Sequence, residues 1–137
     1  MSTAIWAEHF LDRGIEETFE TVAAIGYDAV AITPWLHDGT DPTMSGSTID
    51  QIAAALDEHG LEVSGTARAF GPNHDHLVTS PDADVRERTR EYLSDLATLC
   101  SSLGGRVITF GAGPQRSYPD DISFGAAWEN AQEVFGI

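Results

Sequence analysis

Four short segments hold the side chains whose types and spacing could do chemistry: Glu8-His9-Phe10, Thr33-Pro34-Trp35, the stretch 66–76 and the stretch 111–116. Glu8 offers a carboxylate that could accept from a ligand hydroxyl or approach a metal-bound substrate; a solvated loop acid would look the same in so acidic a chain. Trp35 offers an aromatic wall for the apolar face of a sugar ring, or a cover for a core. Arg68, His74 and His76 share one long loop that also contains Gly and Pro. His74-Asp75-His76 has the look of a metal-ligand cluster, but two histidines at i,i+2 in a loop are weak evidence, and solvated histidines are the default expectation. Gly111-Ala112-Gly113-Pro114-Gln115-Arg116 is the most informative stretch. Its glycines permit close backbone approach, Gln115 carries a donor and an acceptor, and Arg116 presents a planar fork suited to phosphate or carboxylate. Its Gly-x-Gly lacks the third glycine of a dinucleotide fingerprint and follows the wrong strand for one. No nucleophile elbow, Walker loop, CxxC or HExxH motif occurs.

These segments have a common position, each at the end of an expected strand. One unit recurs three times: an amphipathic helix ends, a glycine follows, and a short β-branched run begins. The junctions read Ala24-Ile25-Gly26-Tyr27-Asp28-Ala29-Val30, Glu58-His59-Gly60-Leu61-Glu62-Val63 and Ser102-Leu103-Gly104-Gly105-Arg106-Val107. Glycine closes a helix in the left-handed conformation without a Cβ clash, and buried parallel strands read as short, nearly continuous apolar runs. The pattern predicts strands over 3–9, 28–33, 61–67 and 106–111, alternating with helices over 14–25, 48–59, 82–103 and 123–135. Ser47 or Thr48 is expected to cap the second helix, and Ser80, followed by Pro81 at the first helical position, the third. Val85, Thr89, Tyr92, Leu93, Leu96, Leu99, Cys100 and Leu103 form an apolar stripe on that third helix, opposite a charged face. Cys100, the one cysteine of the chain, is therefore expected to be a buried small hydrophobe. Strand and helix alternating four times predict an α/β fold with parallel strands and helical crossovers, in a single domain covering 1–137. In such folds ligands bind beyond the C-terminal ends of the strands, where the four segments lie.

Composition narrows the partners. The 137 residues carry 22 acids against seven bases, all of them arginine, for a net charge of −15. That balance argues against nucleic acid and against an anionic membrane surface, both of which call for Lys and Arg clusters. The acids are spread along the chain, which suits adaptation to a high-salt, halophilic cytoplasm. No basic leader and no run of 18 apolar residues occurs, so a cytoplasmic location is expected and no membrane span.

Three collinear stretches carry a family resemblance: Ala24-Ile25-Gly26-Tyr27-Asp28-Ala29-Val30-Ala31-Ile32-Thr33-Pro34, Thr79-Ser80-Pro81-Asp82-Ala83-Asp84-Val85-Arg86, and Leu99-Cys100 through Leu103-Gly104-Gly105-Arg106-Val107 to Gly111 and Gln115-Arg116. Together they resemble sugar phosphate isomerase/epimerase proteins of the xylose-isomerase-like barrel superfamily. The resemblance implies a (β/α)₈ TIM barrel, of which about four βα units are present. It implies a sugar or sugar phosphate as ligand and metal-assisted proton transfer next to a carbonyl. Glu8, Trp35, Arg68, Gln115 and Arg116 would be the substrate-binding residues of this half.

Departures from the family pattern bear on activity. Relatives typically carry Asn-Glu where Ala7-Glu8 stands, a Glu at Ala31 and often a His at Ala67. In the superfamily the divalent metal (Mn, Mg or Zn) is held by residues from strands five to eight, so this chain alone is expected to hold none. A barrel typically takes about 250 residues, so 137 residues suggest an N-terminal half. Such a half would be completed by a second half-barrel chain or as a homodimer, or would persist as a non-catalytic remnant or sugar-binding half-barrel. A DNA-repair nuclease on the same barrel fits poorly with a chain without lysine.

Overall fold

The computed structural model describes residues 2–10, 12–34, 46–71, 75–110 and 113–137. Strand β1 (Ala4–Trp6) leads into a 3-10 turn (Ala7–Phe10) and helix α1 (Ile15–Ile25). Strand β2 (Ala29–Ile32), helix α2 (Gly46–His59) and strand β3 (Glu62–Thr66) follow. Helix α3 (Ala83–Ser102), the short helix α4 (Gly113–Arg116) and helix α5 (Phe124–Phe135) complete the order. The sheet runs β1-β2-β3 with both pairings parallel, in the register Ile5–Val30 and Val30–Val63. Between Val30 and Ala31 the β2–β3 register shifts, setting Ala31 against Gly65.

The expected fourth strand is reduced to a single parallel bridge, Thr66 to Ile108. Two short backbone bonds hold it there: Thr66 N–H donates to Val107 O, and Thr109 N–H donates to Thr66 O, each at 2.8 Å. This approach depends on glycine. A Cβ at Gly65 would stand 2.2 Å from Val107 O, and one at Gly105 would stand 2.8 Å from Cys100 Sγ. The first strand is also shorter than its sequence suggests. The chain leaves the sheet after Trp6 and coils through Ala7–Phe10, so Glu8 lies on a turn beyond the strand end.

One core joins sheet and helices. Phe19 and Val22 of α1, Ile52 and Leu56 of α2, and Leu96 and Leu99 of α3 close over Val30, Ile32 and Val63. The α3 stripe is buried as its period predicts, with Thr89, Tyr92, Leu96, Leu99 and Cys100 inside. Its charged face stays in water, where Glu87 pairs with Arg90. That hydrogen bond, with the coulombic attraction of Glu87, makes the exposed Arg90 guanidinium more basic than usual.

Two caps differ from expectation. Asp82, not Ser80, caps α3, its carboxylate accepting from Asp84 N–H at 2.9 Å. Ser80 acts one step earlier, its hydroxyl accepting from Asp82 N–H at 3.1 Å, so the two polar residues cap in series. Helix α2 begins at Gly46, which puts Ser47 and Thr48 inside its first turn. The glycine that closes α1 does behave as expected: Gly26, at φ 99°, bonds back to Ala23 O.

Helix α5 docks on α3 through a polar clamp. Asn130 Nδ2 donates to the carbonyls of Thr79 (3.1 Å) and Ser80 (3.0 Å). Arg86 donates to Glu133 at 3.0 Å and to Ser80 O at 2.9 Å. No helix among the described residues is long and apolar enough to cross a membrane.

Candidate functional site

The C-terminal ends of β1 and β3 meet through a charged pair. Arg68 Nη1 donates to Glu8 Oε2 at 3.0 Å, linking residues 60 positions apart. The Glu8 side chain is nearly buried, at 12% exposure, whereas that of Arg68 is 51% exposed. A pair this open contributes no more than about 1 kcal/mol to stability. Arg68 also sits at φ 51°, where it is alone among the described non-glycine residues in having positive φ, a conformation costing about 1–2 kcal/mol for a residue with a Cβ. The strain offsets whatever the pair contributes. Across proteins, strained backbone of this kind clusters at ligand clamps and active sites.

Surrounding groups lock that backbone. Tyr92 OH donates to Ala69 O at 2.6 Å, directly after Arg68. Ala67 N–H donates to Ile32 O at 2.8 Å, directly before it. Phe70 stacks on Tyr92 with ring centroids 5.0 Å apart, and His76 packs against both rings at 5.4 and 4.3 Å. His76 is thus part of an aromatic cluster that supports the loop, contrary to the expectation of a solvated histidine. Its apolar neighbours come from α3 and from Phe70, which local sequence cannot bring together. His74 lies outside the described residues. The sequence reading missed the supporting role of Tyr92 because its place on the apolar stripe marked it only as core.

The other expected site residues are dispersed. Gln115 is buried in α4, and its carbonyl accepts from Val78 N–H at 3.1 Å, tying α4 to the loop before α3. Arg116, its neighbour, is exposed. Trp35 lies outside the described residues. Thr33, at the end of β2, is fully buried, and its hydroxyl has no hydrogen-bond partner among the described residues. Ala7, Ala31 and Ala67 are buried at 2%, 7% and 0% exposure.

A metal does not fit the described residues. No three His, Cys, Asp or Glu side chains converge among them, and Glu8 is already engaged by Arg68. The arrangement can offer a carboxylate, a guanidinium and buried backbone to a polar ligand at one mouth of the sheet.

Comparison with known proteins identifies the fold. The family model described as xylose isomerase-like TIM barrel matches residues 19–137. Among solved structures, the chain is similar to D-psicose 3-epimerase from Clostridium cellulolyticum H10, with 23% identity and a TM-score of 0.73. It is also similar to 3-keto-D-glucoside 4-epimerase from E. coli, with 17% identity and a TM-score of 0.67. The alignments cover 98% of this chain but only 46% and 48% of those two chains, so the chain spans about half the length of the barrels it resembles. A search of curated protein sequences gave no match. At these identities the structural neighbours show the fold alone. The parallel sheet with its covering helices corresponds to half of a (β/α)₈ barrel, and, with the family model matching most of its length, the chain belongs to the xylose isomerase-like TIM barrel family.

Proposed function

We propose that this chain forms the substrate-cradling half of a sugar isomerase or epimerase barrel, binding a sugar or sugar phosphate at the mouth where Glu8 and Arg68 meet. The observation that carries the reading is the Glu8–Arg68 pair with its strained Arg68 backbone, at the end of the strands where barrels of this architecture bind ligands. A carboxylate and a guanidinium side by side can accept from one sugar hydroxyl and donate to the next. Arg116 is suited to the anionic end of a phosphorylated sugar. The structural neighbours include a D-psicose 3-epimerase solved with D-tagatose and one solved in the presence of D-fructose, which makes ketohexoses the first ligands to try.

Isomerisation and epimerisation of this kind move a proton at the carbon next to a carbonyl. The chemistry that a divalent metal would supply in the complete family fold is Lewis-acid polarisation of that carbonyl. The described residues do not supply a set of donors for that metal. Their part is to hold and orient the sugar.

A second reading, sugar binding without turnover, is favoured by one observation: Ala31 and Ala67 stand buried where the family resemblance implies Glu and His. Calorimetric titration with D-fructose, D-tagatose and their phosphates tests the common part of both readings. Binding that falls at least tenfold in Arg68→Ala is expected. Undiminished binding in that variant would sink the assignment of the site. Ala31→Glu with Ala67→His in a completed barrel separates the two readings, since a gain in epimerase turnover is expected only where the machinery is otherwise intact.

A further inference from the structure

Three threonine hydroxyls among the described residues are buried without a hydrogen-bond partner: those of Thr18, Thr33 and Thr66. Such a group costs more in the interior than a methyl of the same shape, because it has given up water and gained no bond in return. Two of the three have an ordinary setting. Thr18 lies in α1, inside the helix layer. Thr66 stands in register with Ile32, on the sheet face that packs against the helices. Thr33 differs. Val30 and Ile32 of β2 turn to the helices, so alternation sends Ala31 and Thr33 to the opposite face, the one that lines the inside of a barrel. Thr33 follows directly on β2, at the strand end where such barrels bind ligands.

The Glu8–Arg68 pair crosses that strand end. β2 is the middle strand of the three. Glu8 follows β1 and Arg68 follows β3, so their 3.0 Å contact bridges the two outer strands across the end of the middle one. Ala67, just before Arg68, donates to Ile32 O, just before Thr33, which fixes the two strand ends side by side at this level. The burial of Thr33 is complete within this chain. A partner from any further segment would have to displace something already present, and so would a ligand. The part cheapest to displace is Arg68. Half of its side chain is exposed, its ion pair is open to solvent, and the strain at φ 51° is relieved if its backbone follows.

We propose that the Glu8–Arg68 pair is a latch over Thr33: a polyhydroxylated ligand draws Arg68 aside, and one of its hydroxyls bonds the Thr33 Oγ1 that the free protein leaves unpaired. The inference rests on the sugar-binding reading and adds to it a third contact and its cover. A threonine hydroxyl both donates and accepts, as does a sugar hydroxyl, so the two are matched. The unpaired hydroxyl raises the energy of the closed state alone, and the liganded state gains the missing bond. Thr33 thereby favours ligands that place a hydroxyl at this depth over analogues that lack it.

Thr33→Val, nearly the same shape without the hydroxyl, tests the proposal by two measurements on the full chain. Without ligand the melting temperature should rise by roughly 3–5 °C. In calorimetric titration with D-fructose and D-tagatose, affinity should fall roughly three- to tenfold. A merely structural threonine would not move the two in opposite directions. Thr18→Val, the same change away from the mouth, should raise the melt and leave affinity as it was. In an Arg68→Ala background the hydroxyl meets water, so adding Thr33→Val should bring no rise. A lower melt in Thr33→Val would mean that the hydroxyl is already bonded in the free protein, and would overturn the proposal. Undiminished affinity in Thr33→Val, alongside the tenfold loss in Arg68→Ala, would overturn it too while leaving the sugar site standing. An equal rise with and without Arg68 would show that the latch is not what covers Thr33. Absence of sugar binding by the unsubstituted chain would remove the sugar-binding reading and this one together.

Discussion

Gly65→Ala should loosen the junction on which the strand-four side of the site depends. The added Cβ would stand 2.2 Å from Val107 O, about 1 Å inside ordinary contact, and the obstacle is backbone that no rotamer can move aside. Relief requires the 106–110 segment to retreat from β3. That movement lengthens the Thr66–Val107 and Thr109–Thr66 bonds, now both 2.8 Å, beyond useful range. Two lost backbone bonds cost about 1 kcal/mol each, and the residual crowding costs about 1–2 kcal/mol more. The total is about 3–4 kcal/mol, which for a domain of this size lowers the melting temperature by roughly 10–15 °C. Thermal unfolding followed by circular dichroism in high salt measures it. Gly113→Ala serves as the control, since a Cβ there meets nothing within 4 Å. A Gly65→Ala melt within about 3 °C of that control would refute the claim that glycine is what lets the fourth segment dock.

Further outcomes follow from the same geometry. Arg68→Gly releases the φ 51° strain while removing the pair with Glu8, so stability should change by less than about 1 kcal/mol in denaturant titration while sugar affinity falls. Asn130→Ala takes the side-chain donor from Thr79 O and leaves Ser80 O to Arg86 alone, which should cost about 1–3 kcal/mol, with hydrogen exchange rising first in α5. Gly125→Ala, in the first turn of α5 with only Ser123 Oγ near its Cβ at 3.8 Å, should stabilise by about 0.5–1 kcal/mol. With a net charge of −15, the melting temperature should climb with added salt; a melt insensitive to salt would argue against the reading of the acids as a high-salt adaptation.

The alternation of strand and helix was legible in the sequence because it rests on local physics. The glycine after each helix and the run of β-branched residues behind it need only their own neighbours. The α3 stripe, with Cys100 inside it, follows from the helical period alone. Cap positions were less legible. Ser80 and Asp82 are both good N-caps, and which one closes the helix depends on how the preceding loop is bonded to Asn130 and Arg86.

What the sequence determined by itself, then, was the order of elements, the parallel α/β class and the membership suggested by collinear motifs. Tertiary structure alone decided the site. Glu8 and Arg68 are 60 residues apart, and their meeting depends on the parallel register that sets the ends of β1, β2 and β3 side by side. The same holds for His76, whose place against Phe70 and Tyr92 comes from packing of a loop on a helix. The fourth segment pairs through a single bridge, beside a close backbone approach to Gly65 that the apolar pattern of its own residues does not encode. Periodicity reports which face of an element is apolar; which side chains meet beyond the strand ends is set by contacts between elements far apart in the chain.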